Sequence, residues 1–375
     1  MRILLTCFSS SRGGLEQQAI DLARQLQTRG HEVWLACVPD SRLEKEATEL
    51  QVRTLPFDVT GYVHPRLVWR LGKFIARNQV DIVHCHLSRD IATVVPAVKL
   101  SMTEVPILLT RGMGSYVNKK DPLHQFTYGN LALVIAVSSV IHKNVLDTTP
   151  MPPERVITLP CGIDTTLFSP ERVNGAGVRV EFGYGPEIVV VGFVGRFSLG
   201  KGQEELLEAA DLVRGQRPQV RFLVVGEASR GEEEFEQHIR RMHASLRLEG
   251  VMTLTGFRRD IPEVMSSFDV LAFPSHAEAF GLVLTEAMAM ERPVVASNSD
   301  GVLDIVVGGE TGLLVPPKDP RRLAEGLIRL VDDPALRMRM GKAGRLRVLD
   351  LFDQRKQAER IEEIYTSLLR QETPS

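Results

Sequence analysis

The sequence predicts two α/β domains, each built on a doubly wound parallel sheet. Three observations carry this. A β-loop-α-β unit opens the chain, a second unit of the same plan begins about 190 residues later, and apolar strand-sized runs alternate with helical stretches after each. At 375 residues the chain is too long for one ordinary core and suits two domains of typical size.

The first unit reads as strand Arg2 to Phe8, then Ser9-Ser10-Ser11-Arg12-Gly13-Gly14, then an amphipathic helix Leu15 to Arg29 stopped by Gly30, then strand Glu32 to Val38. The second reads as strand Ile188 to Val194, then Gly195-Arg196-Phe197-Ser198-Leu199-Gly200-Lys201-Gly202, then helix Gln203 to Arg214 and strand Val220 to Val225. A junction is expected near Pro160 to Pro170, dividing the chain into 1–168 and 169–351, with a cleft between the domains. The apolar run Val270 to Phe273 then leads into Glu278-Ala-Phe-Gly-Leu-Val-Leu-Thr-Glu286 and the helix-forming stretch Ala287 to Met290. The closing segment Phe352 to Leu369 has helical periodicity through Ala358, Ile361, Ile364, Tyr365 and Leu368.

Composition excludes several classes. Lys and Arg total 45 against 47 Asp and Glu, so no global basic field argues for nucleic acid. No stretch approaches the roughly 18 apolar residues of a spanning helix, and a soluble, cytoplasmic protein is expected. Cys7, Cys37, Cys85 and Cys161 lie in or beside strand-like runs without metal spacing and read as reduced core residues.

The chemistry concentrates in two places. The loop at 195–202 pairs glycines with Arg196 and Lys201, and a planar fork beside a point charge suits phosphate oxygens at the mouth of a parallel sheet. Two solvated cations in an exposed turn would look the same. Neither loop has the Gly-x-Gly-x-x-Gly dinucleotide fingerprint, which weakens an oxidoreductase reading. In the second place, Gly281 lets backbone approach a ligand, and the N–H groups of Phe280, Gly281 and Leu282 open a helix whose dipole favours negative charge. Ionised Glu278 and Glu286 are acceptor-only groups suited to the hydroxyls of a sugar or ribose. Their spacing alone also fits an amphipathic helix with a solvated Glu at each end.

The ordered series Gly13-Gly14-Leu15-Glu16, Asp81-Ile82-Val83-His84-Cys85-His86, Cys161-Gly162-Ile163-Asp164, Gly195-Arg196 through Lys201-Gly202, Thr255-Gly256-Phe257, Pro274-Ser275 with the Glu-x7-Glu element, and Gly309-Glu310-Thr311-Gly312 resembles the retaining glycosyltransferases of family 4, of GT-B fold. The resemblance covers essentially the whole chain. It implies that a last helix, here 352–375, returns to the N-terminal acceptor domain, and that 169–351 form the nucleotide-sugar donor domain. It implies that Arg196 and Lys201 neutralise the donor diphosphate, Glu286 accepts the ribose hydroxyls, and Glu278 holds the donor sugar. Phe257, Phe280, Gly281 and Leu282 line the donor, and Gly13 and Gly14 admit donor phosphate and acceptor. Where relatives carry a His, this chain has Leu109-Thr110-Arg111-Gly112, so Arg111 takes that place or His86 supplies the imidazole, and Glu16 and Arg111 fall on the acceptor side.

No cofactor or metal is expected. His84 and His86 share one face of an extended strand and could share an ion, but no Asp-x-Asp pair exists to hold a metal on a diphosphate. Arg66, Arg70, Lys73 and Arg77 line one face of a helix opposite Leu67, Leu71, Phe74 and Ile75; such a helix can touch the inner membrane surface or pack on its own sheet with a wet basic face. The expected function is transfer of a sugar from a UDP- or GDP-sugar to a glycan or lipid-linked acceptor in lipopolysaccharide or cell-surface polysaccharide assembly. A nucleotide-sugar epimerase of the same architecture and a non-catalytic sugar-nucleotide binding protein are the alternatives.

Overall fold

A computed structural model describes residues 1–10, 13–59 and 64–370. The turn residues Ser11 and Arg12 expected in the first loop lie outside the described residues, as do 371–375 of the closing segment.

The chain divides into two compact units, Met1–Gly162 together with the chain from Gln354, and Ile163–Asp353. The first holds seven strands: β1 Arg2–Cys7, β2 Glu32–Cys37, β3 Arg53–Pro56, β4 Ile82–Cys85, β5 Ile107–Arg111, β6 Leu133–Ala136 and β7 Val156–Thr158. All pair in parallel in the order β3-β2-β1-β4-β5-β6-β7. The second holds β8 Val189–Val194, β9 Val220–Val225, β10 Met252–Gly256, β11 Val270–Phe273, β12 Val294–Ser297 and β13 Gly312–Val315, parallel in the order β10-β9-β8-β11-β12-β13. Strand order therefore reverses between β1 and β4 in one unit and between β8 and β11 in the other. A crevice at the carboxyl ends of the strands opens at such a reversal, because the flanking connections leave toward opposite faces.

The strands are continuous apolar runs because both sheet faces are covered. Along β1, Ile3, Leu4, Leu5 and Cys7 are all fully buried. Helix Gly14–Thr28 sets Ala19, Ile20, Ala23 and Leu26 against that sheet, with Arg29 as its C-cap rather than its last turn. The helix Gln203–Arg214 and the strands Val220–Val225 and Val270–Phe273 stand where periodicity puts them. The helix expected to open at Phe280 to Leu282 runs Leu282–Ala289, immediately after Gly281.

The closing helix Gln354–Leu369 belongs to the first unit, where Ala358, Ile361, Ile364 and Tyr365 join the core of Ile20, Ala23 and Leu26. Helix Pro65–Arg77 buries Leu67, Leu71 and Ile75 within its own unit and leaves Arg66, Arg70, Lys73 and Arg77 exposed. Its apolar stripe is thus used by the fold; the outer face is basic, with Lys73 Nζ 3.7 Å over the half-exposed Trp69 ring. Among the described residues no helix is long and apolar enough to cross a membrane. The four cysteines are free and buried, and burial pushes each thiol up.

Candidate active site

In the second unit the loops after β8 and β11 meet at the strand reversal. Gly202 caps helix Gln203–Arg214 with φ +80°, and a Cβ there would stand 2.2 Å from the Pro274 carbonyl oxygen. Only glycine supplies both that conformation and that approach. The His276 N–H donates to the Gly200 carbonyl at 2.8 Å, and His276 Nε2 lies 2.8 Å from Glu205 Oε1 on the helix that the first loop opens. Gln203 Nε2 donates to the Arg196 carbonyl at 2.6 Å, fixing the loop from below.

These ties set the two charged groups side by side. Lys201 Nζ is 2.6 Å from Glu278 Oε2, both half-buried, while the Arg196 guanidinium is exposed and reaches Ser229 Oγ at 3.2 Å. The Gly301 N–H donates to the Glu278 carbonyl at 2.9 Å, holding that stretch of backbone. Gly281 then turns with φ +104° as the N-cap of helix Leu282–Ala289. No intramolecular acceptor is found for the N–H groups of Phe280 and Gly281 among the described residues, and Leu282, at N1, has none in its own helix. The Phe280 side chain is buried, edge-on to Phe352 at 5.8 Å, so only its backbone faces the crevice. Glu286 stands half-buried on the second turn of that helix. Phe257 follows β10 and is 41% exposed. The arrangement offers two cations, two carboxylates and a row of unfilled N–H donors, a set matched to a phosphorylated, hydroxyl-rich ligand.

The first unit gathers a different set at its reversal. Asp90 Oδ2 accepts from Thr6 Oγ and the Phe8 N–H, each at 3.2 Å, tying the end of β1 to the loop after β4. Asp90 Oδ1 is buried without a partner, and burial raises the carboxyl to about 7. His84 shares hydrogen bonds with Tyr365 OH at 2.6 Å through Nδ1 and with Thr110 Oγ at 2.7 Å through Nε2. Both its nitrogens thus have hydroxyl partners. The His86 ring stacks on it at 4.9 Å with Nε2 buried and unpartnered, and burial lowers it to about 4, so His86 is a neutral imidazole. Arg111 is bonded to Ser88 Oγ at 2.6 Å, Tyr128 OH at 3.0 Å and the Met113 carbonyl at 2.7 Å. Glu16 accepts from Ser9 Oγ at 2.5 Å. Gly13 is extended, with φ −168°, so no backbone strain demands glycine; a Cβ would stand 3.1 Å from Glu16 Oε2. Gly14 is the first residue of its helix.

Within each unit the expected residues converge: Arg196, Lys201, Glu278, Gly281 and Leu282 on one reversal, His86, Glu16 and Gly13 near the other. Sequence reasoning missed Asp90, His276 and Glu205. Asp90 lies four residues past His86 at a helix start, the one signal that could have found it. His276 and Glu205 meet only through the folded loops, and no spacing announces them.

Residues 12–167, spanning β2 to β7, match the family described as Glycosyltransferase Family 4, and residues 184–347, spanning β8 to β13, match Glycosyl transferases group 1. The alpha-D-kanosaminyltransferase of Streptomyces kanamyceticus is 25% identical over 80% of this chain and 83% of its own. The D-inositol 3-phosphate glycosyltransferase of Segniliparus rotundus is 31% identical over 74% of this chain, and the match spans 60% of that protein. The crystal structure of Anabaena HepE in complex with UDP superposes with a TM-score of 0.86 at 23% identity, covering 98% of this chain and all of that one. With the two family matches together running from 12 to 347 over two parallel-sheet units, this chain belongs to the GT-B glycosyltransferases of family 4 and group 1.

Proposed function

We propose that the chain transfers a hexose from a nucleoside-diphosphate sugar to a glycan or lipid-linked acceptor, with retention at the anomeric carbon. One observation carries the reading: Lys201, Glu278, exposed Arg196 and the unfilled N–H groups of the 280–282 turn converge at the β8/β11 reversal. Such a site binds a diphosphate with a sugar attached. In the reaction the bond between the anomeric carbon and the donor phosphate oxygen breaks, and a bond to an acceptor hydroxyl oxygen forms on the same face. The acceptor proton passes to the departing phosphate oxygen, and the nucleoside diphosphate leaves.

The residues divide the work. Arg196 and Lys201 offset charge growing on the leaving diphosphate, where a preorganised cation gains most. Glu286 accepts ribose hydroxyls and Glu278 sugar hydroxyls. Because side chains supply the positive charge, no metal enters the scheme. UDP-sugars are the first donors to try, since a fold relative was solved with UDP. A cell-surface polysaccharide or lipopolysaccharide intermediate is the acceptor class we favour; it would bring the protein to the cytoplasmic membrane face, where the exposed row Arg66, Arg70, Lys73 and Arg77 has the sign to meet anionic lipid.

A screen of nucleotide sugars by thermal shift tests the reading, because a ligand at about 100 times its dissociation constant adds roughly 2.7 kcal/mol. Stabilisation by one family of nucleotide sugars, lost in Lys201→Ala, is expected. No stabilisation by any would contradict it, and conversion of the sugar without an acceptor adduct would favour an epimerase.

A further inference from the structure

Arg111 ends β5 and is only 3% exposed, yet its guanidinium meets neutral groups alone: Ser88 Oγ, Tyr128 OH and the Met113 carbonyl. Nε and Nη1 are used, and no partner is found for Nη2 among the described residues. A guanidinium buried this deeply ordinarily faces a carboxylate, since its charge is costly to desolvate uncompensated. The segment 112–130 contains one carboxylate, Asp121, and that one is turned to its own helix, accepting from the N–H groups of Leu123 and His124 and pairing with the His124 ring. The nearby charge is instead a second cation. Lys119, half-buried, is pushed down to about 8 by burial and by repulsion from Arg111. Arg111 is the last residue of β5 and Lys119 follows it by eight positions, so both charges belong to the chain leaving the carboxyl end of the sheet.

We infer that Arg111 and Lys119 together bind a phosphate group of the acceptor. This rests on the proposed transfer reaction and names the acceptor's chemical class. The Arg111 side chain is braced by three neutral acceptors through Nε and Nη1, which leaves Nη2 to donate to a phosphate oxygen, and Lys119 adds a point charge on the same segment. The phosphate belongs either to a water-soluble phosphosugar or to a lipid-linked one. The same segment exposes Met113, Tyr116, Val117, Leu123 and Phe126, apolar surface that an acyl or prenyl chain could cover.

Calorimetric titration with glycerol phosphate and octyl phosphate tests this in a background of Arg196→Ala and Lys201→Ala, which removes the other cationic loop. Both Arg111→Gln and Lys119→Gln should weaken binding at least about tenfold, as charge-assisted bonds are lost. Lys119→Gln alters an outer loop and keeps the test valid if Arg111→Gln fails to fold. Carbon NMR of reductively methylated lysines gives a second readout: saturating phosphate should move the Lys119 titration up by about one unit or more. Equal affinity for both phosphates would identify a soluble phosphosugar acceptor, and tighter octyl phosphate a lipid-linked one; either supports the inference. Phosphate affinity unchanged in both variants, or a Lys119 titration that phosphate leaves in place, overturns it. Normal transfer to a neutral sugar with no phosphate response would defeat this inference alone, whereas absence of nucleotide-sugar binding would defeat the transfer reaction and leave the phosphate response standing.

Discussion

Lys201 Nζ stands 2.6 Å from Glu278 Oε2, the two side chains arriving from the loops that follow β8 and β11. Before any donor arrives, the cation assigned to the diphosphate is neutralised by the carboxylate assigned to the sugar. On the proposed roles, a bound nucleotide sugar would separate them, phosphate taking the lysine and hydroxyls the glutamate. The pair therefore holds both side chains in place while empty and costs little to open, because it is partly exposed.

Glu278→Gln should accordingly do two opposite things. Releasing Lys201 should tighten the bare nucleoside diphosphate, by up to about fivefold for a pair worth roughly 1 kcal/mol. Turnover of the intact donor should fall, since the sugar loses its acceptor. Titration calorimetry with the nucleotide and steady-state kinetics read the two effects separately. Weaker nucleotide binding in Glu278→Gln would contradict this and show that Glu278 is needed to position Lys201 for the diphosphate.

Arg196→Ala and Lys201→Ala should each lower kcat/KM by about a hundredfold or more, the scale of one lost transition-state contact. Melting temperatures should stay close to wild type, because Arg196 is exposed and Lys201 ends in a crevice rather than in the core. Wild-type turnover in both variants would remove the diphosphate assignment.

Much of this site was legible because its parts lie close in sequence. Gly195 to Gly202 and Glu278 to Glu286 are continuous stretches at strand-to-helix junctions, and period and turn residues place such junctions well. The pairing of Lys201 with Glu278 was not legible, since 77 positions separate them and their approach depends on β8 and β11 being neighbours. The burial of Asp90, His86 and Arg111 was equally hidden. Nothing in a polar residue's identity says that a sheet, a helix and Tyr128 will close over it. The closeness of Gly13 to Glu16 was hidden too: the backbone there is extended, and a Cβ would stand 3.1 Å from Glu16 Oε2.

Gly202→Ala should be among the most damaging single changes outside the core. The new Cβ would be forced into a left-handed backbone and toward the Pro274 carbonyl, for a loss of roughly 1–3 kcal/mol from the conformation alone. Denaturant unfolding reads this directly. A loss below about 0.5 kcal/mol would mean the two loops are not locked together as described.

Asp90 and His86 should oppose one another in the pH dependence of stability. Burial raises Asp90 to about 7, so its contribution is full below the ordinary carboxylate range and is lost as pH rises through about 7. Burial lowers His86 to about 4, so its contribution is full above 6.5 and is lost as pH falls through about 4. Between pH 4 and 6.5 the two slopes partly cancel, each at most about 1.4 kcal/mol per pH unit. Asp90→Asn removes one of them, and its stability should fall more steeply on acidification than that of wild type. Parallel profiles for the two proteins would contradict the buried, protonated Asp90.

The most direct test of the account is the proton NMR spectrum of the product formed from an α-linked nucleotide sugar in the presence of a strong chelator. Release of the nucleoside diphosphate with an α-configured anomeric proton in the adduct is the expected result, since the cations are side chains and both bonds are exchanged on one face. A β-configured product, or transfer that stops with chelator and returns with a divalent ion, would contradict it.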